Sequence, residues 1–187
     1  PRSTRPPSSA ASDVYKRQLH HEEYAKRITH FFHQWISGQK SVFVVALYHP
    51  INNEISPLSL IEYLDTKNKT ICLPLVVNKK QPLIFKPWRP GKKMVIGHYG
   101  ISVPDNDQTL IPDLIICPLL AYDSKGMRLG YGGGFYDRTI KYFRKNKHVK
   151  YIGLAFSGQK SYHDLPSEVH DVPLDAVLTE TGMDYFQ

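Results

Sequence analysis

Apolar residues are distributed along the chain in two different patterns. Between Leu19 and Gly38 large apolar side chains return every three or four residues, which predicts an amphipathic helix that ends at the glycine. The run SVFVVALY, residues 41–48, is continuously apolar and rich in β-branched residues, as is typical of a strand buried on both faces. Ser56 and Pro57 then predict a second helix to about residue 65, with Ser56 as N-cap and Pro57 at the first helical position.

The second half of the chain continues this alternation. A strand is predicted over residues 70–77, where Pro74 interrupts it, and short extended pieces over 83–86 and 94–96. Further strands are predicted over 114–120, 151–156 and 175–179, and a helix over 136–145. Strands that alternate with helices predict an α/β fold, here a single-domain three-layer sandwich with a mainly parallel, open sheet.

The first residues differ in composition from the rest. PRSTRPPSSAASDV, residues 1–14, is rich in Pro, Ser and Arg and has no periodicity. Such a segment cannot bury enough apolar surface to order itself, and it also resembles sequence introduced by cloning. We therefore predict that residues 1–14 are disordered or vector-derived and that the folded domain comprises residues 15–187.

Charge and composition narrow the classes of partner. The 187 residues carry a formal net charge of +7, which favours an anionic partner, either nucleic acid or a small polyanion. No apolar run approaches the roughly 18 residues of a membrane span, and no secretory signal is visible, so the prediction is a cytoplasmic protein that binds no membrane. Cys72 and Cys117 lie in apolar runs and are predicted to be core thiols.

The most informative segment is RLGYGGGFYDR, residues 128–138. It is too short and too apolar for a flexible linker, but a structural turn and a phosphate-binding loop both remain possible. Closely spaced glycines let backbone N–H groups approach an anion, and the N-terminus of the following helix adds partial positive charge. Arg128 and Arg138 could add charge-assisted contacts. The segment lacks the Gly-Lys-Ser/Thr ending of a P-loop, and Phe135 stands where a dinucleotide fingerprint requires its third glycine.

Asp137 strengthens the phosphate interpretation. A carboxylate beside bound phosphates requires a cation between them, and Mg²⁺ is commonly held by one or two carboxylates together with substrate phosphates. Asp171 or Asp175 could supply the second acid, whereas the alternative role of Asp137 is to stabilise the first helical turn. The loop Tyr48–Glu54 also follows a predicted parallel strand, so it should reach the same edge of the sheet.

These residues resemble a known family, that of 5-formyltetrahydrofolate cyclo-ligase, also called 5,10-methenyltetrahydrofolate synthetase. The likeness covers about residues 17–182, and its segments follow the order of the family. They are ALYHPINNEIS, ICLPLVV, FKPWRPG, HYGISVP, PDLIICPLLAYDSKG, RLGYGGGFYDR, IGLAFSGQ and LPSEVHDVPLDAVLTE.

The resemblance implies an ATP- and Mg²⁺-dependent ligase acting on 5-formyltetrahydrofolate. In the family's scheme the formyl oxygen attacks the γ-phosphate, N10 then closes the ring, and 5,10-methenyltetrahydrofolate, ADP and phosphate result. Glu54 would bind the pterin end of the substrate, with Trp88 and Tyr131 stacking on the ring system, and Asp137 and Asp171 would bind Mg²⁺. The residues expected to bind ATP are Arg17, Arg128, Gly130, Tyr131, Gly132, Gly133, Gly134, Phe135 and Tyr136.

The sequence also allows other interpretations. A basic nucleic-acid-binding module would need a basic stripe with interleaved aromatic residues, and KYFRKNKHVKY, the nearest match, has aromatics that suit a buried helix face. Two further alternatives keep the fold. One is a catalytically inactive relative, and the other is sugar-phosphate isomerase or acyl-CoA-type transferase chemistry on a related sheet. His30 and His33 are interpreted as surface residues, and His170 could contact phosphate or cap its loop. The prediction is a monomer that binds no nucleic acid.

The N-terminal segment gives a first testable prediction. The family usually begins with a basic helix that reaches the ATP phosphates, whereas here only Arg17, and loosely Lys16, could fill that role. We expect this chain to bind ATP more weakly than a version with a restored basic N-terminal helix, as measured by calorimetric titration. Equal affinities for the two proteins would contradict the prediction.

Overall fold

The computed structural model of the protein describes residues 9–51, 54–145 and 149–186, and for residues 9–21 it describes the backbone alone. The described residues form three α-helices: α1 (Ser9–Ser37), α2 (Leu58–Thr66) and α3 (Phe135–Arg144). Their β-strands are β1 (Val44–Ala46), β2 (Thr70–Leu75), β3 (Ile84–Pro87), β4 (Met94–Ile96), β5 (Ser102–Pro104), β6 (Leu114–Pro118), β7 (Ala121–Tyr122), β8 (Arg128–Leu129), β9 (Lys150–Leu154), β10 (Ala176–Thr179) and β11 (Gly182–Tyr185).

Seven of the strands form the central sheet, in the order β11-β10-β9-β6-β1-β2-β3. The five inner strands run parallel, and the edge strands β3 and β11 pair antiparallel to their neighbours. The pairs β4-β5 and β7-β8 form two small antiparallel sheets. The carboxyl ends of the five parallel strands therefore meet at one edge, which we call the carboxyl edge.

The two faces of the sheet are covered by different helices, and β6 shows how the sequence produces this arrangement. Its alternate residues Leu114 and Ile116 belong to the core beneath α1 and α2, whereas Ile115 and Cys117 belong to the core beneath α3. A strand buried on both faces needs apolar side chains at every position, which explains the continuous apolar runs in the sequence. Each helix buries one stripe; in α3 this is Thr139, Ile140 and Phe143.

These observations confirm the predicted α/β fold with a mainly parallel sheet. Cys72 and Cys117 are buried free thiols, as predicted, and burial raises the pKa of both to about 12. In the described part of the chain, no helix combines the length and the apolar character that crossing a bilayer requires.

Two local predictions were wrong. Helix α1 begins at Ser9, well before the predicted start at Leu19, because the polar residues of its first turns carry no apolar period that could reveal a helix. Pro57 rather than Ser56 is the N-cap of α2, although Ser56 Oγ accepts a long hydrogen bond of 3.4 Å from the N–H of Leu58, the first helical residue. The helical backbone thus includes part of the segment 1–14 that composition set apart, and the domain boundary after residue 14 stays a prediction.

Two carboxylates fix the connections around the sheet. Asp113 accepts hydrogen bonds from the backbone N–H groups of Phe43 and Val44, both at 2.9 Å, and so joins the starts of β1 and β6. The buried Asp123 accepts from the N–H groups of Lys125, Met127 and Leu165 at 2.9, 3.0 and 2.9 Å. It therefore closes the β7-β8 turn and ties it to the segment that precedes β10.

Gly153 in β9 provides a test of this packing. A Cβ atom at this position would lie 2.6 Å from Leu119 Cδ2 and 2.7 Å from Leu174 Cδ1, and both side chains are buried. We expect Gly153→Ala to lower the free energy of unfolding by about 1–3 kcal/mol in urea denaturation. Gly158→Ala, where nothing lies within 4 Å of the added atom, is the matched control and should change it by less than about 0.5 kcal/mol. Equal stability of the two variants would contradict the packing described here.

Candidate functional site

The loop after β1 reaches the carboxyl edge of the sheet. Tyr48 is buried, and its hydroxyl donates a hydrogen bond of 2.6 Å to the carbonyl oxygen of Ile55. Glu54 is partly buried, and its Oε2 accepts a hydrogen bond of 2.9 Å from the N–H of Ile51. These two bonds hold the loop against the start of α2 and fix the Glu54 carboxylate.

The glycine loop, residues 130–134, lies between β8 and α3. Gly132 has φ 81°, and Gly134, the N-cap of α3, has φ 60°. A left-handed backbone favours glycine, and a Cβ atom on Gly134 would also meet Arg138 Nη1 at 2.8 Å. No side chain caps α3 among the described residues, so the N–H groups of its first turn face outward with the positive end of the helix dipole. Such an arrangement can bind an anion.

Arg138 closes the glycine loop from the helix side. Its Nη2 donates to the carbonyl oxygen of Gly133 at 2.8 Å, and its guanidinium lies 5.0 Å from the centre of the Phe135 ring. The same ring is in edge contact with Tyr99, at 6.0 Å between ring centres. In this arrangement the guanidinium supports the loop conformation.

Arg128 and Asp137 form a partly buried ion pair at the site. Arg128 Nη2 lies 2.8 Å from Asp137 Oδ1, and its side chain is only 5% exposed. Its Nη1 donates to the carbonyl oxygen of Val172 at 3.0 Å, and the Val172 N–H donates to Asp137 Oδ1 at 3.3 Å. We call this group of three residues the Arg128 clamp; it joins β8, the first turn of α3 and the segment before β10.

The two predicted metal ligands lie on segments that this clamp brings together. Asp171 directly precedes Val172, and its Oδ2 accepts a hydrogen bond of 2.8 Å from the N–H of Glu168. Asp175, the sequence alternative, is bound instead to Arg144 and to the Tyr151 N–H at the start of β9, away from the carboxyl edge. The described residues contain no group of three or more His, Cys, Asp or Glu side chains suited to a metal ion. The structure brings the segments of Asp137 and Asp171 together, and the metal-binding role of the two carboxylates stays a prediction.

Electrostatic interactions connect the loop after β1 with residues of the glycine loop and of α3. Burial raises the pKa of Tyr48 well above its ordinary value, and the nearby Glu54 and Tyr131 raise it further. Burial likewise raises the pKa of Tyr136 well above its ordinary value, with contributions from Tyr48 and Glu54. Burial also raises the pKa of Glu54, against the opposing effect of the Ile51 N–H. The Glu54 carboxylate and the phenols of Tyr48 and Tyr136 thus lie close enough to influence one another, and burial raises the pKa of all three.

Trp88 lies apart from the group formed by Glu54, Tyr48 and Tyr136. Its backbone N–H donates to the carbonyl oxygen of Ile71 near the start of β2, and its ring packs on the α1 and α2 face of the sheet. The indole Nε1 donates to the Lys92 carbonyl at 3.3 Å. Its stacking role stays a prediction, as does that of the half-exposed Tyr131, which does lie in the glycine loop. The side chain of Arg17 lies outside the described residues, so its predicted contact with ATP cannot be placed.

Sequence reasoning missed one flank of the site. Tyr99 approaches the glycine loop through Phe135, and Lys79 Nζ lies 5.9 Å from the centre of the Tyr99 ring. Tyr99 also has φ 62°, which is uncommon for a residue with a side chain. The segment that carries it is short and irregular, and no periodicity in the sequence signals its approach to the loop.

The remaining candidates lie elsewhere. His30 and His33 are exposed on α1, as expected, and the His33 ring lies tilted against Tyr63 at 5.1 Å between ring centres. It lines a cavity of about 400 Å³ beside the carboxyl-terminal ends of α1 and α2. A second cavity, of about 350 Å³, lies next to Asp113 at the amino ends of the strands. His170 is exposed beside Asp171, so neither of its two proposed roles is tested.

A parallel sheet with a glycine loop, an uncapped helix N-terminus and carboxylates at its carboxyl edge is characteristic of α/β enzymes that bind their ligands at that edge. Within this class, the chain belongs to the 5-formyltetrahydrofolate cyclo-ligase family, whose sequence model matches residues 12–180. The predicted family and enzyme class are confirmed.

Individual relatives agree with this assignment. The chain is 39% identical over 146 residues to a 5-formyltetrahydrofolate cyclo-ligase of Haemophilus influenzae, covering 75% of this chain and 77% of the relative. It is 35% identical over 141 residues to the enzyme of that name from Escherichia coli, covering 72% and 76%. The NMR structure of Aquifex aeolicus 5,10-methenyltetrahydrofolate synthetase superposes with a TM-score of 0.69 at 26% identity, covering 94% of this chain and 92% of that one.

The raised pKa of Glu54 leads to a stability prediction. The folded protein holds the Glu54 proton more tightly than the unfolded chain, so this stabilisation is complete below the ordinary value of 4.5 and is lost as pH rises through the raised pKa. We expect the unfolding free energy of the wild type to fall relative to that of Glu54→Gln across this window, in urea titrations at several pH values. Glu62→Gln, on the exposed face of α2, is the control for loss of a carboxylate. Parallel pH profiles of wild type and Glu54→Gln would contradict the prediction.

Proposed function

We propose that this protein converts 5-formyltetrahydrofolate to 5,10-methenyltetrahydrofolate at the expense of ATP, which yields ADP and phosphate. The observation that carries the proposal is the juxtaposition of an uncapped glycine loop with Glu54 at one edge of the sheet, in a chain whose family match spans residues 12–180. The glycine loop suits an anionic nucleotide, and the Glu54 carboxylate suits a ring system that carries N–H donors.

The glycine loop is the proposed ATP site. The N–H groups of Phe135 and Tyr136 belong to the uncapped first turn of α3, where the helix dipole favours phosphate. Gly132 and Gly134 allow close approach because neither carries a side chain and both adopt left-handed conformations. The formal net charge of +7 also favours the approach of ATP and of the glutamate tail of a folate.

Mg²⁺ fits the donors that the site offers. Asp137 uses Oδ1 for the Arg128 clamp, and among the described residues no hydrogen bond is found to its Oδ2. Asp171 lies on the neighbouring segment, next to the residue that bonds Asp137. Two carboxylates with phosphate oxygens and water form the kind of hard, oxygen-only ligand set that Mg²⁺ prefers. When bound there, Mg²⁺ would neutralise charge on the phosphates of ATP.

Glu54 is the proposed ligand of the pterin end of the folate. A carboxylate can accept two parallel N–H bonds, and the hydrogen bond from the Ile51 N–H fixes its orientation. Burial raises the energy of its charged form, so a ligand with N–H donors would lower the Glu54 pKa on binding. Tyr131 and Trp88 are the proposed stacking residues, of which only Tyr131 belongs to the glycine loop.

The chemistry requires mainly positioning. Phosphoryl transfer from ATP to the formyl oxygen turns that oxygen into a leaving group, and attack by N10 then closes the ring and releases phosphate. The chain's residues would hold the two substrates in line and stabilise the charge on the phosphates, which accounts for most of the catalysis in phosphoryl transfer. We further propose a monomeric, cytoplasmic enzyme that binds neither nucleic acid nor membrane.

The proposal is tested by turnover and by Asp137→Asn. Purified protein should form the methenyl product from 5-formyltetrahydrofolate only with Mg²⁺ and ATP, followed by the near-ultraviolet absorbance of the product. Asp137→Asn should lower kcat/KM by about 100-fold or more, because it removes a negative charge that would hold the metal beside the phosphates. Asp65→Asn, which affects only a surface pair with Arg89 at 3.9 Å, is the matched control and should retain activity.

Two outcomes would overturn the proposal. Wild-type protein that folds but forms no product, also after a basic N-terminal helix is restored, would indicate an inactive relative. Full activity of the Asp137→Asn variant would contradict the proposed role of Asp137 as a Mg²⁺ ligand.

A further inference from the structure

Both terminal nitrogens of the Arg128 guanidinium bind groups of the protein itself. Nη1 and Nη2 donate to two different partners, the Val172 carbonyl and the Asp137 carboxylate, at 3.0 and 2.8 Å. The Val172 N–H completes a closed ring of contacts by donating to the same Asp137 oxygen. At 5% exposure, the side chain is shielded from solvent.

The burial of this charge limits what Arg128 can do. A buried charge must remain paired, since removal of either partner leaves the other desolvated without compensation. A turn of the guanidinium toward bound phosphates would remove the charge that pairs with the Asp137 carboxylate and the hydrogen bond to the Val172 carbonyl oxygen. Arg138, by contrast, makes its hydrogen bonds at exposed positions, to the carbonyl oxygens of Gln81 and Gly133.

We propose that Arg128 is a positioning residue, which holds Asp137 and the Asp171 segment in register for the metal and does not itself contact phosphate. The inference rests on the proposed function and deepens it. Arg128 and the Val172 N–H occupy Oδ1 of Asp137, so Oδ2 is the oxygen directed to the cation. The same clamp fixes the backbone next to Asp171, so a single side chain sets the position of both carboxylates.

The chain contains a matched control for this role. Arg144 makes the same types of contact, to the Pro173 carbonyl at 2.9 Å and to the Asp175 carboxylate at 3.0 Å. It too links α3 to the segment before β10, but from the C-terminal end of the helix and with its side chain 37% exposed. Arg144→Gln therefore removes an equivalent link without touching the glycine loop.

The test compares ADP binding with and without Mg²⁺ for the wild type, Arg128→Gln, Arg128→Lys and Arg144→Gln, by calorimetric titration with chelator in the metal-free arm. For Arg128→Gln we expect metal-free ADP affinity within about twofold of wild type, and a loss of about 10–100-fold in the enhancement by Mg²⁺ and in kcat/KM. Arg128→Lys should retain part of the enhancement, since an ammonium can pair with Asp137 but lacks the planar fork that binds two partners. Arg144→Gln should match the wild type.

The opposite pattern would overturn the inference. If Arg128 bound phosphate directly, Arg128→Gln would weaken ADP binding by the same factor in both arms and leave the Mg²⁺ enhancement intact. Should Arg128→Gln fail to fold, ADP binding with and without Mg²⁺ is compared for Arg128→Lys instead. An unchanged enhancement by Mg²⁺ in that variant would contradict the positioning role of Arg128. Wild-type protein that binds Mg-ADP but forms no methenyl product would contradict the proposed function and leave this inference standing.

Discussion

The burial of the central strands on both faces is the constraint on which the structure depends. Strands β1, β6 and β9 have apolar side chains toward α1 and α2 on one side and toward α3 on the other, so they have no room for polar chemistry along their length. Functional groups are therefore displaced to the strand ends. Because β1 and β6 run parallel, the loops that leave them, one with Glu54 and one leading to the glycine loop, emerge at the same edge.

The same constraint explains why the site uses backbone groups and few charges. At the carboxyl edge, the N–H groups of α3 offer positive potential without a side chain that must be desolvated. The charged side chains that do occur there are fixed by the protein: Arg128 is paired with Asp137, and Glu54 is held by the Ile51 N–H. Nucleotide and folate chemistry of the type proposed relies on such fixed dipoles.

Sequence reasoning succeeded where one physical signal dominated. The runs 41–48 and 114–120 predict buried strands because burial on both faces leaves no polar position, and β1 and β6 lie within them. The glycine loop is recognised by its rare composition, whereas its binding role stays a prediction. Sequence reasoning failed where local signals were weak. The pair β7-β8 has strands of two residues, too short for any period, and α1 extends over polar turns at its start. The contacts of Arg128 with Val172 join residues 44 positions apart, and no local pattern reports such a pairing.

The segment that carries Asp171 is fastened at both ends. Leu165 is bound to the buried Asp123, and Val172 is bound to Asp137 and Arg128, so only residues 166–171 span the interval. A loop this short has few conformations once its ends are fixed. The protein therefore gives up most of the conformational entropy of this acidic loop when it folds, and a ligand that arrives later has little disorder left to remove.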